Sequence, residues 1–116
     1  MDRAGTDESG FGLDFDARAQ TVRVEAWGFW PIEVCSAFGK ALISACRNSA
    51  GVRRVEMETT RLKPLREEGE AAWATALAAM PGVGIEAIVV KCNSLTKLQL
   101  LRIASRSTAK SFVQFV

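Results

Sequence analysis

Histidine is absent from all 116 residues, which removes both the commonest general base and the commonest metal ligand. Ser-His-Asp and Cys-His nucleophile chemistry and histidine-based metal sites are excluded with it. Cysteine is scarce: Cys35, Cys46 and Cys92 are an odd number without C-x-x-C spacing, which suits neither a disulfide framework nor a zinc cluster. Reduced, buried thiols are the expected state. No run of eighteen apolar residues occurs. The opening "MDRAGTDESG" is acidic and polar where a signal peptide is basic and then apolar, so a cytoplasmic protein away from membranes is expected. The Gly-x-Gly "GFG" at 10–12 does not precede a helix, and no phosphate loop is present. These gaps leave no constellation for catalysis, and a non-enzymatic protein without cofactor or metal is expected.

What remains is one domain's worth of chain, 48% hydrophobic, large enough to build a core without cross-links. Its net charge of +2 hides an uneven distribution. Within residues 1–16, Arg3 stands against Asp2, Asp7, Glu8, Asp14 and Asp16, whereas from Lys91 onward Lys97, Arg102, Arg106 and Lys110 meet no acidic residue. That end prefers an acidic neighbour. The chain's own acidic arm and a partner protein are the leading choices. Nucleic acid is a weaker one, because the overall charge is modest and no basic stretch is interleaved with stacking aromatics.

Residues 1–10 have the composition of a disordered acidic arm, and 11–116 that of a single folded domain. "GLDFDARAQTVRVEAWGF" alternates with period two on both sides of a short polar break, a hairpin signal. "WPIEVCSAFGKALISACRNSAG" changes to threes and fours through Ile32, Cys35, Phe38, Leu42 and Cys46, with Pro31 suited to a first helical turn and Gly51 to the stop. "VRRVEMETT" reads as a strand. A second helix is expected from Pro64 or Leu65 to Met80, burying Gly69, Trp73, Ala76 and Leu77. "IEAIVV" reads as a strand covered on both faces, Ser94 as N-cap of a third helix, and "KSFVQFV" as a last strand that is buried or seeks a partner. Strands alternating with helices after a hairpin predict an α/β fold: a five-stranded mixed sheet, β-β-α-β-α-β-α-β, with right-handed crossovers.

Ligands and partners of such sheets meet the carboxyl ends of the parallel strands. "GFWP", "ETTRLKPLREE" and "CNSL" fall there, nominating Trp30, Thr59, Thr60, Arg61, Lys63, Arg66, Glu67 and Asn93 as a partner-binding edge. Trp30, beside Pro31, is the expected exposed aromatic anchor. Gln99, Arg102 and Arg106 recur at helical spacing and form a secondary basic stripe. Glu67, Glu68 and Glu70 crowd a helix start, where the helix dipole favours negative charge by about 0.3–1 kcal/mol each. A glycosidase-like pair needs facing elements, which neighbours on one helix do not provide. Thr59, Thr60, Ser94 and Thr96 are candidate phosphate acceptors, although capping is the commoner role of such hydroxyls.

The element order and "VEMETTRLKPLREEGEAAW" resemble the STAS domain, named for sulfate transporters and anti-sigma factor antagonists. "WGFWPIEVCSAFGKAL" and "LQLLRIAS" are similar to segments of SpoIIAA-like small bacterial proteins. The resemblance sets Gly69 on the family's motif glycine, Glu58 on its strand aspartate, and Glu67 on the serine that switch members phosphorylate. A glutamate holds one fixed charge where phosphoserine carries about −1.5 to −2 and is reversible. The resemblance thus implies a bacterial signalling module that binds a regulatory kinase, a GTPase or an anti-sigma-like protein without the usual phosphoswitch. The alternatives are small-ligand or lipid binding, a basic nucleic-acid-binding module, and a homodimer with the last strand or first helix at its seam.

Overall fold

The computed structural model describes residues 2–116. They form β1 (Asp2–Gly5), β2 (Gly10–Asp16), β3 (Thr21–Gly28), α1 (Ile32–Asn48), β4 (Arg54–Leu62), α2 (Glu67–Ala79), β5 (Ala87–Cys92), α3 (Lys97–Ser105) and β6 (Val113–Phe115), with short 3-10 turns at Pro81–Val83 and Lys110–Phe112. The six strands lie side by side in chain order. β1, β2 and β3 pair antiparallel; β3, β4, β5 and β6 pair parallel.

The sheet therefore has six strands rather than the five expected, and the sixth comes from the presumed arm. Residues 2–5 pair with β2 because the turn after them closes over an aromatic ring. The Trp27 indole N–H donates to the Thr6 carbonyl at 2.8 Å, and the Arg3 guanidinium lies 4.5 Å from the Trp27 ring centroid. Polar composition suggested a tail; a cation over a tryptophan face and a hydrogen bond order it.

Sequential strand order with right-handed crossovers puts every helix on the same side of the sheet. Val22, Val55 and Ile88 stand in register, as do Val24, Met57 and Val90, and all six are buried beneath the helices. Their neighbours Arg23, Glu56, Val89 and Gln114 align on the opposite face. This corrects the expectation for β5, which is covered on one face only, with Val89 half-buried and Lys91 exposed. The apolar periodicity of α1 sends Cys35, Phe38, Leu42 and Cys46 inward, and that of α2 sends Gly69, Trp73, Ala76 and Leu77 to meet them. Ile32, counted with the buried stripe from spacing, is half exposed at the first turn. Both helices also begin later than the pattern indicates: Pro31 is the residue before α1 and Arg66 the residue before α2. Burial pushes the Cys46 thiol up to about 11, so it is a neutral core side chain.

The uncovered face is a lattice of opposite charges. Arg23 contacts Asp16 at 2.8 Å and Glu56 at 3.6 Å, Arg61 lies 3.8 Å from Glu25, and Lys91 lies 3.8 Å from Glu58. The Ala19 N–H and then Arg23 hold Asp16 below the usual carboxylate range. Partial burial raises Glu58, but the Thr60 hydroxyl and N–H together with Lys91 outweigh it and leave that carboxyl lowered too. Carboxylates whose folded pKa is depressed stabilise the protein above their unfolded pKa, and that stabilisation is lost as pH falls through the folded value. The urea midpoint is therefore expected to fall as pH drops below about 4. An Asp16→Asn/Glu58→Gln variant should show a shallower decline over the same range. Equal slopes in the two proteins would mean that these carboxylates titrate alike in both states.

Candidate functional site

The carboxyl ends of β3, β4 and β5 are tied into one surface by backbone geometry. The Lys63 N–H donates to the Gly28 carbonyl at 3.0 Å. The Asn93 amide donates to the carbonyls of Thr60 and Leu62, both at 2.9 Å. Its oxygen accepts the N–H groups of Leu95 and Thr96 at 2.8 and 3.0 Å. Asn93 thus uses both ends of its side chain to stitch β4 to the start of α3. Ser94, expected from sequence as the N-cap of α3, does not hold that place: the residue before α3 is Thr96, which makes no side-chain cap bond.

Gln99 supplies the second tie. Its amide accepts the Leu65 N–H at 2.7 Å and donates to the Leu65 carbonyl at 2.8 Å and to Glu70 at 2.7 Å. This satisfies both backbone groups of a residue in the loop entering α2, so Gln99 is a structural bracket and not part of an open basic stripe. Arg102 and Arg106 remain exposed and line a shallow groove of about 280 Å³ between α2 and α3, with Glu67, Glu70 and Gln99. Tertiary packing thereby unites Glu67 with the stripe read separately from it. Two acids and two cations around one groove give it a mixed field.

Two nominated residues are not available to a partner. Trp30, the expected anchor, is 1% exposed; its indole N–H donates to the Gly10 carbonyl at 3.0 Å, and its ring packs among Phe11, Phe38 and Trp73. Thr59 is fully buried and donates its hydroxyl to the Lys91 carbonyl at 2.7 Å. The exposed aromatic is Phe29, at 51%. Gly28, with φ of 75°, breaks the strand alternation, so parity along β3 no longer says which of the two rings turns inward.

The Arg66 guanidinium lies 5.4 Å from the Phe29 ring centroid, a cation–π contact. Ile32 stands half exposed nearby on α1, and Leu95 and Leu98 are each 75% exposed at the start of α3. Thr60, Arg61, Lys63, Arg66 and Glu67 are exposed on the same edge. This edge therefore presents exposed apolar side chains together with three cations and, in the first turn of α2, one glutamate. Sequence reasoning weighed Phe29 with Trp27 and Trp30 but chose Trp30 as the anchor, and it missed Leu95 and Leu98, which lie just before and just inside the start of α3.

A second groove, of about 320 Å³, runs between α1 and α2 with Cys35 at its floor. Burial, then the Glu68 charge, raises the Cys35 thiol, which disfavours the reactive thiolate. Trp73, Phe38 and Leu77 fill the space between sheet and helices. Among the described residues no group of three or more Cys, Asp and Glu side chains is placed to hold a metal, and no helix is long and apolar enough to cross a membrane. No protein-family model and no curated protein matches the chain.

Proposed function

We propose that this protein is a non-enzymatic regulatory binding module that meets a protein partner through the carboxyl edge of its sheet. The observation that carries the reading is the exposure of Phe29, Leu95 and Leu98 beside loops that the Lys63, Asn93 and Gln99 hydrogen bonds tie together. Apolar side chains on a pre-ordered frame give up little entropy on binding, and an arginine beside an aromatic ring is a frequent centre of interface energy. Phe29 with Arg66 takes the anchoring role first given to Trp30. Arg61 and Lys63 form a basic rim suited to an acidic partner surface.

A STAS-like, SpoIIAA-like role in bacterial cytoplasmic signalling is the finer form of this proposal. Its support is the element order and the position of Glu67 at the exposed start of α2. Glu67 then holds a permanent charge where switch members add a phosphate, and the partner is a regulatory kinase, a GTPase or an anti-sigma-like protein.

The test is affinity capture from the native cell with wild type, Phe29→Ala/Arg66→Ala, Glu67→Ser, and Lys40→Ala on the exposed side of α1. Loss of an aromatic–arginine centre is expected to weaken capture by more than about tenfold, with Lys40→Ala unchanged. A partner lost also from Glu67→Ser reads the fixed charge. Retention of the same proteins by all four forms would remove the loop edge as the interface.

A further inference from the structure

Trp27 is 3% exposed, yet it stands apart from the core that Trp30, Phe38 and Trp73 share. Its register partner Gly10 belongs to the side of the sheet that no helix covers, since the next pair, Phe11 and Ala26, joins the core. A Cβ on Gly10 would come to 3.0 Å from the indole, so the ring lies across β2 toward β1. What hides it there is residues 2–9. The Arg3 guanidinium sits over the ring, and the Thr6 carbonyl accepts the indole N–H. The Gly-x-Gly of 10–12 thus serves packing: Phe11 turns to the helices, and Gly10 leaves space for an indole on the other face.

The segment over Trp27 is lightly held. Arg3, Gly5, Thr6, Asp7 and Glu8 are exposed, and Ala4 is the residue of β1 that packs against the core. β1 has four residues and pairs on one side, with β2. Lifting it breaks one strand pairing, one indole bond and one cation–π contact while the helices and the remaining strands stay packed, so it costs much less than unfolding. The same segment presses on the loop edge. The Glu8 carbonyl and the Ser9 backbone crowd Gly28 so closely that no Cβ fits there, and the Gly28 carbonyl accepts the Lys63 N–H. Segment and edge meet at one glycine.

We propose that residues 2–9 form a releasable strap over Trp27 whose opening loosens the loop edge through Gly28 and Lys63. Its regulatory meaning rests on the partner-binding reading of that edge; the coupling itself does not. Opening uncovers the indole and the β2 edge together. The ligand suited to the opened site is an extended segment that pairs with β2 and sets a cation on the ring, because β1 and Arg3 occupy it in that way. Coupling is reciprocal: a partner seated on the loop edge keeps the strap closed, and a segment that takes the strap's place weakens the edge.

Native-state hydrogen exchange on the full chain, followed residue by residue by NMR, reads the coupling without a partner, so its failure and that of the binding reading are distinct. The Thr6 N–H, which donates to the Ser9 carbonyl, the Trp27 indole N–H and the Lys63 N–H are expected to exchange through one opening, at least about tenfold more frequent than that of the slowest amides of β4. Arg3→Ala should raise all three rates by one common factor, about two- to fivefold for an exposed cation–π contact. The Leu65 N–H, which Gln99 holds, should not change. Trp27→Phe, which gives up the bond to Thr6, should raise the Thr6 and Lys63 rates together by about two- to tenfold. The proposal is overturned by a Lys63 rate that stays constant while that of Thr6 rises, by a Leu65 rate that rises equally, or by strap amides that exchange no faster than those of β4.

Discussion

Trp30→Ala is expected to cost about 3–5 kcal/mol of folding stability, the range for deleting a buried large aromatic. That is a large share of the roughly 5–15 kcal/mol available to a domain. Trp30 closes a cluster with Phe11, Phe38 and Trp73, its ring centroid 4.9 Å from that of Phe38, so alanine leaves a cavity lined by three aromatic rings that cannot collapse together. Urea unfolding followed by circular dichroism measures the loss. Phenylalanine substitutions separate the polar part from the packing. Trp30→Phe gives up the indole bond to the Gly10 carbonyl and should lose about 1–2 kcal/mol more than Trp73→Phe, because the Trp73 N–H is buried without an acceptor and its removal relieves a desolvated donor. A Trp30→Ala loss under about 1 kcal/mol would return this side chain to the surface role expected from its neighbourhood in sequence.

Gly28→Ala is expected to cost about 2–4 kcal/mol, by combining backbone strain with overlap against fixed backbone. Gly28 sits at φ of 75°, and an added Cβ would overlap the Glu8 carbonyl and the Ser9 backbone. Neither atom is the end of a flexible side chain, so relief requires the β1–β2 turn to shift. That shift would also disturb the Lys63 bond to the Gly28 carbonyl, and with it the loop edge. Gly84→Ala is the matching control, at φ of 87° with open space around its Cβ. It should lose only the strain of a left-handed alanine, about 1–2 kcal/mol. Thermal unfolding of the pair isolates the steric part. Equal losses would show that the turn of residues 6–9 yields freely at Gly28.

How far the sequence could be read varies element by element. The inward stripes of α1 and α2 followed from spacing alone, because a helix period repeats within a few residues and needs no knowledge of what it packs against. The gathering of three loops at one edge followed from strand–helix alternation, because parallel crossovers return every strand in the same direction. Composition misled at residues 2–5, where polar side chains implied a tail and one tryptophan face gave them a place. Spacing also failed at Gln99, whose helix stripe reads as solvated until its amide is seen holding both backbone groups of Leu65, which lies 34 positions away.

By itself, the sequence determined the α/β class, the helical core stripes, the lack of histidine chemistry and the separation of acidic from basic segments. These depend on residue type and on periods shorter than a turn or two. Tertiary structure alone decided that Phe29 rather than Trp30 faces outward, that one side of the sheet is uncovered, and that residues 2–5 add a sixth strand to it. Each of these depends on where strands that are distant in sequence come to lie, and strand order leaves no trace in local periodicity.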